Sequence, residues 1–463
     1  MATIVNSGAR LDRLPISRFH WRMLMLIAAG GFVDAFDVYL PSSVVAAAVK
    51  DGFTDLAHGA MFISAGFFGM LIGAASSGWI GDRYGRRASY QINLAIFGIA
   101  SFAACFVPNM WWLIVCRFVM GLGLGAELVV AAGTLCEFIP PKYRGRWGAL
   151  LGMLINIGLP AANAAGYFII PHSSWRAMFL LVAVGGVLVW IMRRHMPESP
   201  RWLESRGRTE EAEATLAAIE AEVMAQHGSL PPVGVVQDLT TTYVPLRALF
   251  SRALLGRTVV ASLVQVAVNV SVYGMIAWIP TFLVKQGMSV VSSLGYTTLM
   301  TAGGPTGALL AFFISDRIPR KVSMIGSAVA IIVFGTIYPT LTNPALLTFI
   351  GFCLVSSIYY LVAVGFYSYA PELFPTALRL RGGGFANVCG RFASILMPYV
   401  IVMLFEHFGV KGIVAMVVSV AVLLIIGVAL LRVEMRDVSL DASDRAINDA
   451  SDLMGTSPAQ FQR

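Results

Sequence analysis

The sequence predicts an all-α membrane protein of twelve transmembrane helices in two pseudo-symmetric six-helix bundles. Three observations carry that prediction. The 463-residue chain is 57% hydrophobic and only 13% charged, where an ordinary soluble chain carries about 25% charged residues. Its apolar runs are about 20 residues or longer, enough to cross a ~30 Å hydrocarbon core as helices. Finally, the chain repeats itself about 234 residues apart: Gly73, Asp82, Arg83 and Arg86 recur as Gly307, Asp316, Arg317 and Arg320. One register further, Glu137, Pro140, Arg144, Arg146 and Gly148 recur as Glu372, Pro375, Arg379, Arg381 and Gly383. A duplicated membrane half with matching charges at matching helix ends is how a two-sided transporter is built.

Residues 1–20 are polar and basic and read as a cytoplasmic N-terminal segment. The apolar run after them is too long for the core of a cleavable signal peptide. The first bundle, 21–194, holds spans at 21–49, 58–80, 88–107, 111–138, 145–169 and 174–194. A polar linker, 195–256, follows. Apolar and charged residues alternate there at helical spacing from Thr209 to Gln226, and Gly228 stops the pattern, which predicts a cytoplasmic amphipathic helix joining the halves. The second bundle, 257–432, holds spans at 257–284, 290–315, 321–340, 345–370, 381–403 and 409–432. The remainder, 433–463, is a polar cytoplasmic tail.

Basic residues fall in alternate loops. One set holds Arg13, Arg18 and Arg22, then Arg83, Arg86 and Arg87, then Lys142, Arg144 and Arg146. It continues through the linker to Arg317, Arg320 and Lys321, then Arg379 and Arg381, then Arg432 and Arg436. The opposite loops carry little more than Lys50, His172, Lys285 and Lys411. Both termini are therefore expected in the cytoplasm of a multi-pass plasma membrane protein, the inner membrane if the source is bacterial. The net charge of +8 reads as membrane orientation, not nucleic-acid binding. Cys105, Cys116, Cys136, Cys353 and Cys389 all lie in apolar runs without a CxxC. They read as small buried hydrophobes, not disulfides or metal ligands.

Two strings at span ends carry a specific resemblance. Gly78-Trp-Ile-Gly-Asp82-Arg83-Tyr-Gly85-Arg86-Arg87 closes span 2, and Arg117-Phe-Val-Met-Gly121-Leu-Gly123-Leu-Gly125 lies in span 4. They resemble the paired signature motifs of the major facilitator superfamily. Pro197-Glu198-Ser199-Pro200-Arg201-Trp202-Leu203 and Pro371-Glu372-Leu373-Phe374-Pro375-Thr376 are similar to the subset with sugar porters, organic-ion transporters, niacin transporters and aromatic-acid symporters. The resemblance implies the major facilitator fold, two six-helix bundles around a central cavity. It implies cytoplasmic gating by Asp82, Arg83, Arg86, Arg87, Glu137, Arg144 and Arg146, and by Glu372, Arg379 and Arg381 in the second half. That half has Pro319 for Gly85 and Phe312 for Gly78, so only Asp316, Arg317 and Arg320 are carried over from its loop motif.

Charges inside the spans bear on function, because ionisable groups in a bilayer are costly and mark pathways. Asp34 and Asp37 lie three residues apart on one face of span 1. Buried acids take up protons readily, so these are expected to couple transport to protons, unless they serve as structural partners of Arg117. The string resembles the D-G-x-D motif of aromatic-acid:proton symporters, with Ala35 where that family has Gly. Glu127 is either a further proton or substrate site or the partner of a base from another span. Arg391, in mid-span 11, has the planar fork that suits a carboxylate, with Asn387 one turn earlier. Its segment resembles the arginine-bearing helix of organic anion transporters, where that position meets the anion. The bland alternative is a fixed salt bridge to Glu127 or Asp34. Gln265, Asn269, Tyr273 and Trp278 in span 7, with Tyr359, Tyr360 and Tyr367 in span 10, describe an aromatic, hydrogen-bonding cavity wall or interhelical bonding.

A sugar porter is the first competing reading. Span 7 lacks the family's Q-Q-x-S-G-x-N run and span 12 its P-E-T-K-G ending, and a sugar gives no reason for Arg391. An exporter of organic cations or drugs would need Arg391 neutralised. No nucleotide loop, metal cluster or nucleophile elbow supports an enzyme. The expectation is a proton-coupled importer of a small organic anion, most of all an aromatic or other monocarboxylate, working by alternating access. It needs no cofactor or metal, and is expected to be monomeric in the lipid bilayer.

Overall fold

A computed structural model describes residues 5–194, 196–233, 246–252, 254–314, 317–374 and 378–431. All regular structure among them is helical. The chain divides into two compact units, Met1–Asp238 with Val284–Gly295, and Leu239–Leu283 with Tyr296–Arg463.

The chain begins with α1 (Ser7–Asp12), α2 (Arg18–Lys50), α3 (Leu56–Tyr84), α4 (Arg86–Ala104) and α5 (Met110–Phe138). The fifth span is broken at Ile157 into α6 (Arg144–Asn156) and α7 (Gly158–Ile169), ahead of α8 (Arg176–Arg193), α9 (Pro200–Ser205) and α10 (Thr209–His227). Further on come α11 (Leu255–Gly274), α12 (Ile279–Lys285), α13 (Val290–Thr301), α14 (Gly303–Ile314), α15 (Arg320–Ile337), α16 (Pro344–Val364), α17 (Ala370–Glu372) and α18 (Arg379–Leu430). Among the described residues, ten helical stretches are long and apolar enough to cross a membrane. One of them, Arg381–Leu430, covers two expected spans, because Gly409 bends α18 at φ 62. The helix α4 stands in the place of the third span.

Several expected spans are interrupted, two of them at prolines. Pro280 and Pro305 lack the amide that an unbroken helix would use, and the breaks at Met275 and Ala302 fall just before them. In the tenth span the helix widens into a π-turn over Gly365–Tyr369. Span 1 starts earlier than expected. Ser17 and His20 cap α2 reciprocally, and its 33 residues reach about 50 Å at 1.5 Å per residue, beyond the hydrocarbon layer.

The duplication read from sequence has a physical counterpart inside each unit. Gly73 on α3 meets the backbone of α5 so closely that a Cβ would collide with the Leu122 carbonyl. Gly307 on α14 does the same against the Ser356 carbonyl of α16. Leu122 and Ser356 are separated by the same interval as the two glycines. Small residues let helix backbones approach where apolar burial cannot drive association, as in lipid.

The first unit also carries a helical cap built from its N-terminal segment and α10. Leu11, Leu14, Phe19 and Met23 pack with Leu216, Ile219 and Val223 of α10 in one buried cluster. Arg10 pairs with Glu220 and Glu213 at 2.6 Å each, and Arg13 with Glu220 at 2.6 Å. Glu204 accepts from the Asn6 and Ser7 amides at the start of α1. Burial pushes the Glu220 carboxyl up, but the bonds from Arg10 and Arg13 outweigh it and hold the group below its usual range. The expected linker helix is thus present, with Gly228 at φ 79 ending it, and it is fastened to the N-terminal segment of its own unit.

Candidate functional site

The first unit buries a network of five charges. Arg117 on α5 donates to Asp37 Oδ2 at 2.5 Å and to the Asp37 carbonyl at 3.1 Å. Its guanidinium stands over the Phe62 ring at 5.4 Å, and Gly66 makes room for it. Arg193, at the end of α8, donates to the Leu26 carbonyl at 2.9 Å, the Ile27 carbonyl at 3.0 Å and Glu127 Oε1. The Tyr90 ring lies 4.2 Å beneath it. Asp34 is 2% exposed, and its Oδ2 has no protein partner. Of the alternatives read for Asp37 and Glu127, the structure contains the ion pair in both cases.

Arg193 is the member that the sequence reading missed. It ends an apolar run beside Arg194, and so reads as one more cytoplasmic base. The register of α8 places it differently. Phe179, Val182, Gly186, Val189 and Arg193 are buried along one face, while Leu180, Val184, Leu188 and Ile191 are exposed. A helical-wheel reading of α8 would have found Arg193 on the glycine-bearing inner face.

In the second unit Arg391 is half-buried on α18. No carboxylate lies within salt-bridge distance of it among the described residues. Tyr273 on α11 lies within its electrostatic reach. Asn387, one turn earlier, is half-buried too. Asn269 is engaged in holding helices together: its Nδ2 donates to the Gln265 carbonyl at 2.7 Å, and Ser394 Oγ donates to its Oδ1 at 2.7 Å. Gly390 permits this contact, since a Cβ would lie 2.6 Å from Asn269 Nδ2. Gln265 Oε1 and Trp278 Nε1 are buried without a protein partner. Trp278 stacks on Phe282, which stacks on Phe405 at 4.8 Å. Tyr359 is buried. Tyr360 donates to Ser323 Oγ on α15 at 3.2 Å, an interhelical bond. The Tyr367 side chain lies outside the described residues.

The expected gating residues form matching ion pairs in the two units. Arg86 pairs with Glu137 at 3.0 Å, and Arg320 with Glu372 at 2.7 Å. In the first unit Glu198 accepts from the Arg86 and Arg87 amides, capping α4. Arg201 bonds the Glu137 carbonyl at 3.1 Å and Asp12 at 2.6 Å. A cavity of about 260 Å³ opens among Arg86, Glu137, Arg201, Trp202, Ser205 and Arg206. Arg83, Arg87, Arg146 and Arg317 are exposed and Arg381 is half-buried. Asp316 and the side chains of Asp82, Arg144 and Arg379 lie outside the described residues.

Duplicated glycine contacts, duplicated ion pairs and charges buried within long apolar helices define a multi-pass membrane transporter of the major facilitator fold. The chain belongs to the sugar (and other) transporter family, whose profile matches residues 24–446. It is 38% identical over 450 residues to the inner membrane metabolite transport protein YdjE of Escherichia coli, covering 94% of this chain and 97% of that one. It is 33% identical over 413 residues to the niacin transporter NiaP of Acinetobacter baylyi, covering 87% and 91%. The xylose transporter XylE from E. coli, in a partially occluded inward-open conformation, shares the fold with a TM-score of 0.71. That alignment has 19% identity and covers 91% of this chain and 100% of that one. The family is one of transporters, not enzymes.

Proposed function

We propose that this transporter takes up a small organic anion, an aromatic or other monocarboxylate, together with a proton by alternating access. One contrast carries the reading. Arg117 and Arg193 are each neutralised by a buried carboxylate, whereas Arg391 has no carboxylate partner among the described residues. A guanidinium kept unpaired in a span is suited to a carboxylate brought by the solute. Niacin, the solute named for the A. baylyi relative, is an aromatic monocarboxylate. Asp34 and Asp37 supply proton acceptors, with Arg117 and Glu127 setting their charge balance. Gln265, Tyr273, Trp278 and Asn387 supply polar and aromatic wall around Arg391, and the Arg86–Glu137 and Arg320–Glu372 pairs act as cytoplasmic latches. Both termini face the cytoplasm, and the working unit is a monomer.

The test is uptake into vesicles of purified protein with an imposed pH gradient. The panel holds nicotinate, other aromatic acids, short carboxylates, sugars and quaternary amines. Carboxylates should accumulate when the outside is acidic. Accumulation of sugars alone, or of amines alone, would end the anion reading in favour of a sugar symporter or a cation exporter.

A further inference from the structure

We propose that residues 5–17 form a regulatory strap that, docked on α9 and α10, keeps Arg201 away from the Glu137 carboxylate and so keeps the Arg86–Glu137 latch assembled. This rests on the latch role proposed above for that pair. The strap lies ahead of residues 24–446, which the family profile matches.

The strap is fastened along its length. At its start the Asn6 and Ser7 amides donate to the two oxygens of Glu204, on α9, at 2.8 and 2.9 Å, and Ser7 Oγ donates to the same carboxylate. Asn6 reaches this position with φ 54, the one non-glycine residue at positive φ among those described; asparagine tolerates that backbone. Arg10 and Arg13 pair with glutamates of α10, and Arg13 also donates to the Pro231 carbonyl at 2.8 Å. Leu11 and Leu14 are 1% and 2% exposed and share an apolar cluster with Trp202 and Leu203 of α9. Alone, a helix of six residues is too short to be stable in water. The strap therefore has two states, docked and helical or released and unfolded.

Arg201 joins the strap to the latch. Its Nη2 donates to the Gly8 carbonyl at 3.3 Å and to Asp12 Oδ1 at 2.6 Å, both on α1, and its Nε donates to the Glu137 carbonyl at 3.1 Å. The Glu137 carboxylate meanwhile pairs with Arg86 through Oε1, and its Oε2 is buried without a partner among the described residues. Arg201, Arg86 and Glu137 line one cavity. Releasing the strap takes away Asp12 and the Gly8 carbonyl, and Arg201 can then turn to Glu137 and compete with Arg86 for it. A carboxylate shared between two guanidiniums holds each less firmly. Breaking the latch is a step of every transport cycle, so a loosened latch speeds exchange.

The test is exchange of labelled solute at saturating concentration, with no pH gradient, in proteoliposomes matched for protein content. The solute is whichever of nicotinate, xylose or tetraethylammonium the vesicles transport, so failure of the anion reading shows in that choice. Asp12→Asn should raise the exchange rate about two- to fivefold, the range of an ion pair at a partly exposed site. Arg10→Ala combined with Arg13→Ala unfastens the strap without touching Arg201 and should raise the rate too. Asp12→Glu, which keeps the charge, should exchange close to the wild-type rate. Glu137→Gln dissolves the latch directly, and adding Asp12→Asn to it should change nothing further. An unraised rate in Asp12→Asn overturns the proposal, as does an Asp12→Asn effect that persists undiminished in the Glu137→Gln background. An unchanged rate in Glu137→Gln alone would instead remove the latch reading, and this proposal with it.

Discussion

Replacing Arg391 by alanine should separate anions from their neutral analogues. The side chain is half-buried in the membrane span and has no carboxylate partner among the described residues. Its donors are therefore open to a solute carboxylate. A hydrogen bond to a charged group contributes about 1.5–3 kcal/mol, which is roughly 10- to 150-fold in Kd at ~1.4 kcal/mol per decade. Partial exposure favours the lower part of that range, because solvent screens the charge. Nicotinate and nicotinamide share a ring and differ in charge, so their competition against labelled substrate reads the effect directly. Arg391→Ala should weaken nicotinate by that factor and leave nicotinamide within a few-fold. Arg391→Lys, which keeps the charge but loses the planar fork, should fall between. The protein should also keep its Tm in detergent, since no internal carboxylate loses a partner. Equal losses for the two compounds, or a large drop in Tm, would show that Arg391 is structural.

Three further outcomes follow from the packing and the ion pairs. Gly73→Ala and Gly307→Ala each place a Cβ against a backbone carbonyl, so both should lower Tm in detergent to a similar extent, the overpacking costing about 1–3 kcal/mol; a loss in one half only would break the structural equivalence. Arg117→Gln strands a buried carboxylate and should destabilise by about 3–5 kcal/mol, whereas pairing it with Asp37→Asn should recover much of that loss in the same thermal assay. The docking of α1 on α10 should be sensitive to acid. The Glu220 pKa is depressed in the folded protein, so its contribution is present above the ordinary glutamate value of about 4.3 and is lost as pH falls through the lower folded value. Cysteine cross-linking between the two helices should report that release.

Much of the fold was legible because it depends on local physics. Span length and the recurrence of Gly73 as Gly307 are both visible in one dimension, and each has a counterpart in three. The Arg86–Glu137 pair recurring as Arg320–Glu372 was visible in the same way. The breaks were only partly legible. Pro280 and Pro305 were there to be read, but nothing in the residues around Gly365 distinguishes a π-turn from continued α-helix. The docking of α10 on α1 depends on contacts between segments about 200 residues apart, which no local pattern announces.

Pairing was the part that sequence could count but not assign. Asp34, Asp37, Glu127 and Arg117 were each recognisable as membrane charges, yet the partner of Glu127 lay on a helix whose arginine looked interfacial. Assigning Glu127 to Arg193 changes the meaning of the other charges. It removes Glu127 from the candidates for a bond to Arg391, and it leaves Asp34 as the acid without a base of its own. The same reasoning applies to Asn269, whose polar stripe suggested a cavity wall. Its amide is engaged by Ser394 and the Gln265 carbonyl, so it contributes by fixing α18 against α11 where Gly390 lets them meet. Arg391 is the next residue along that helix. Its position is therefore set by a close glycine contact and a polar clasp, which is the rigid support that a carboxylate-binding arginine requires.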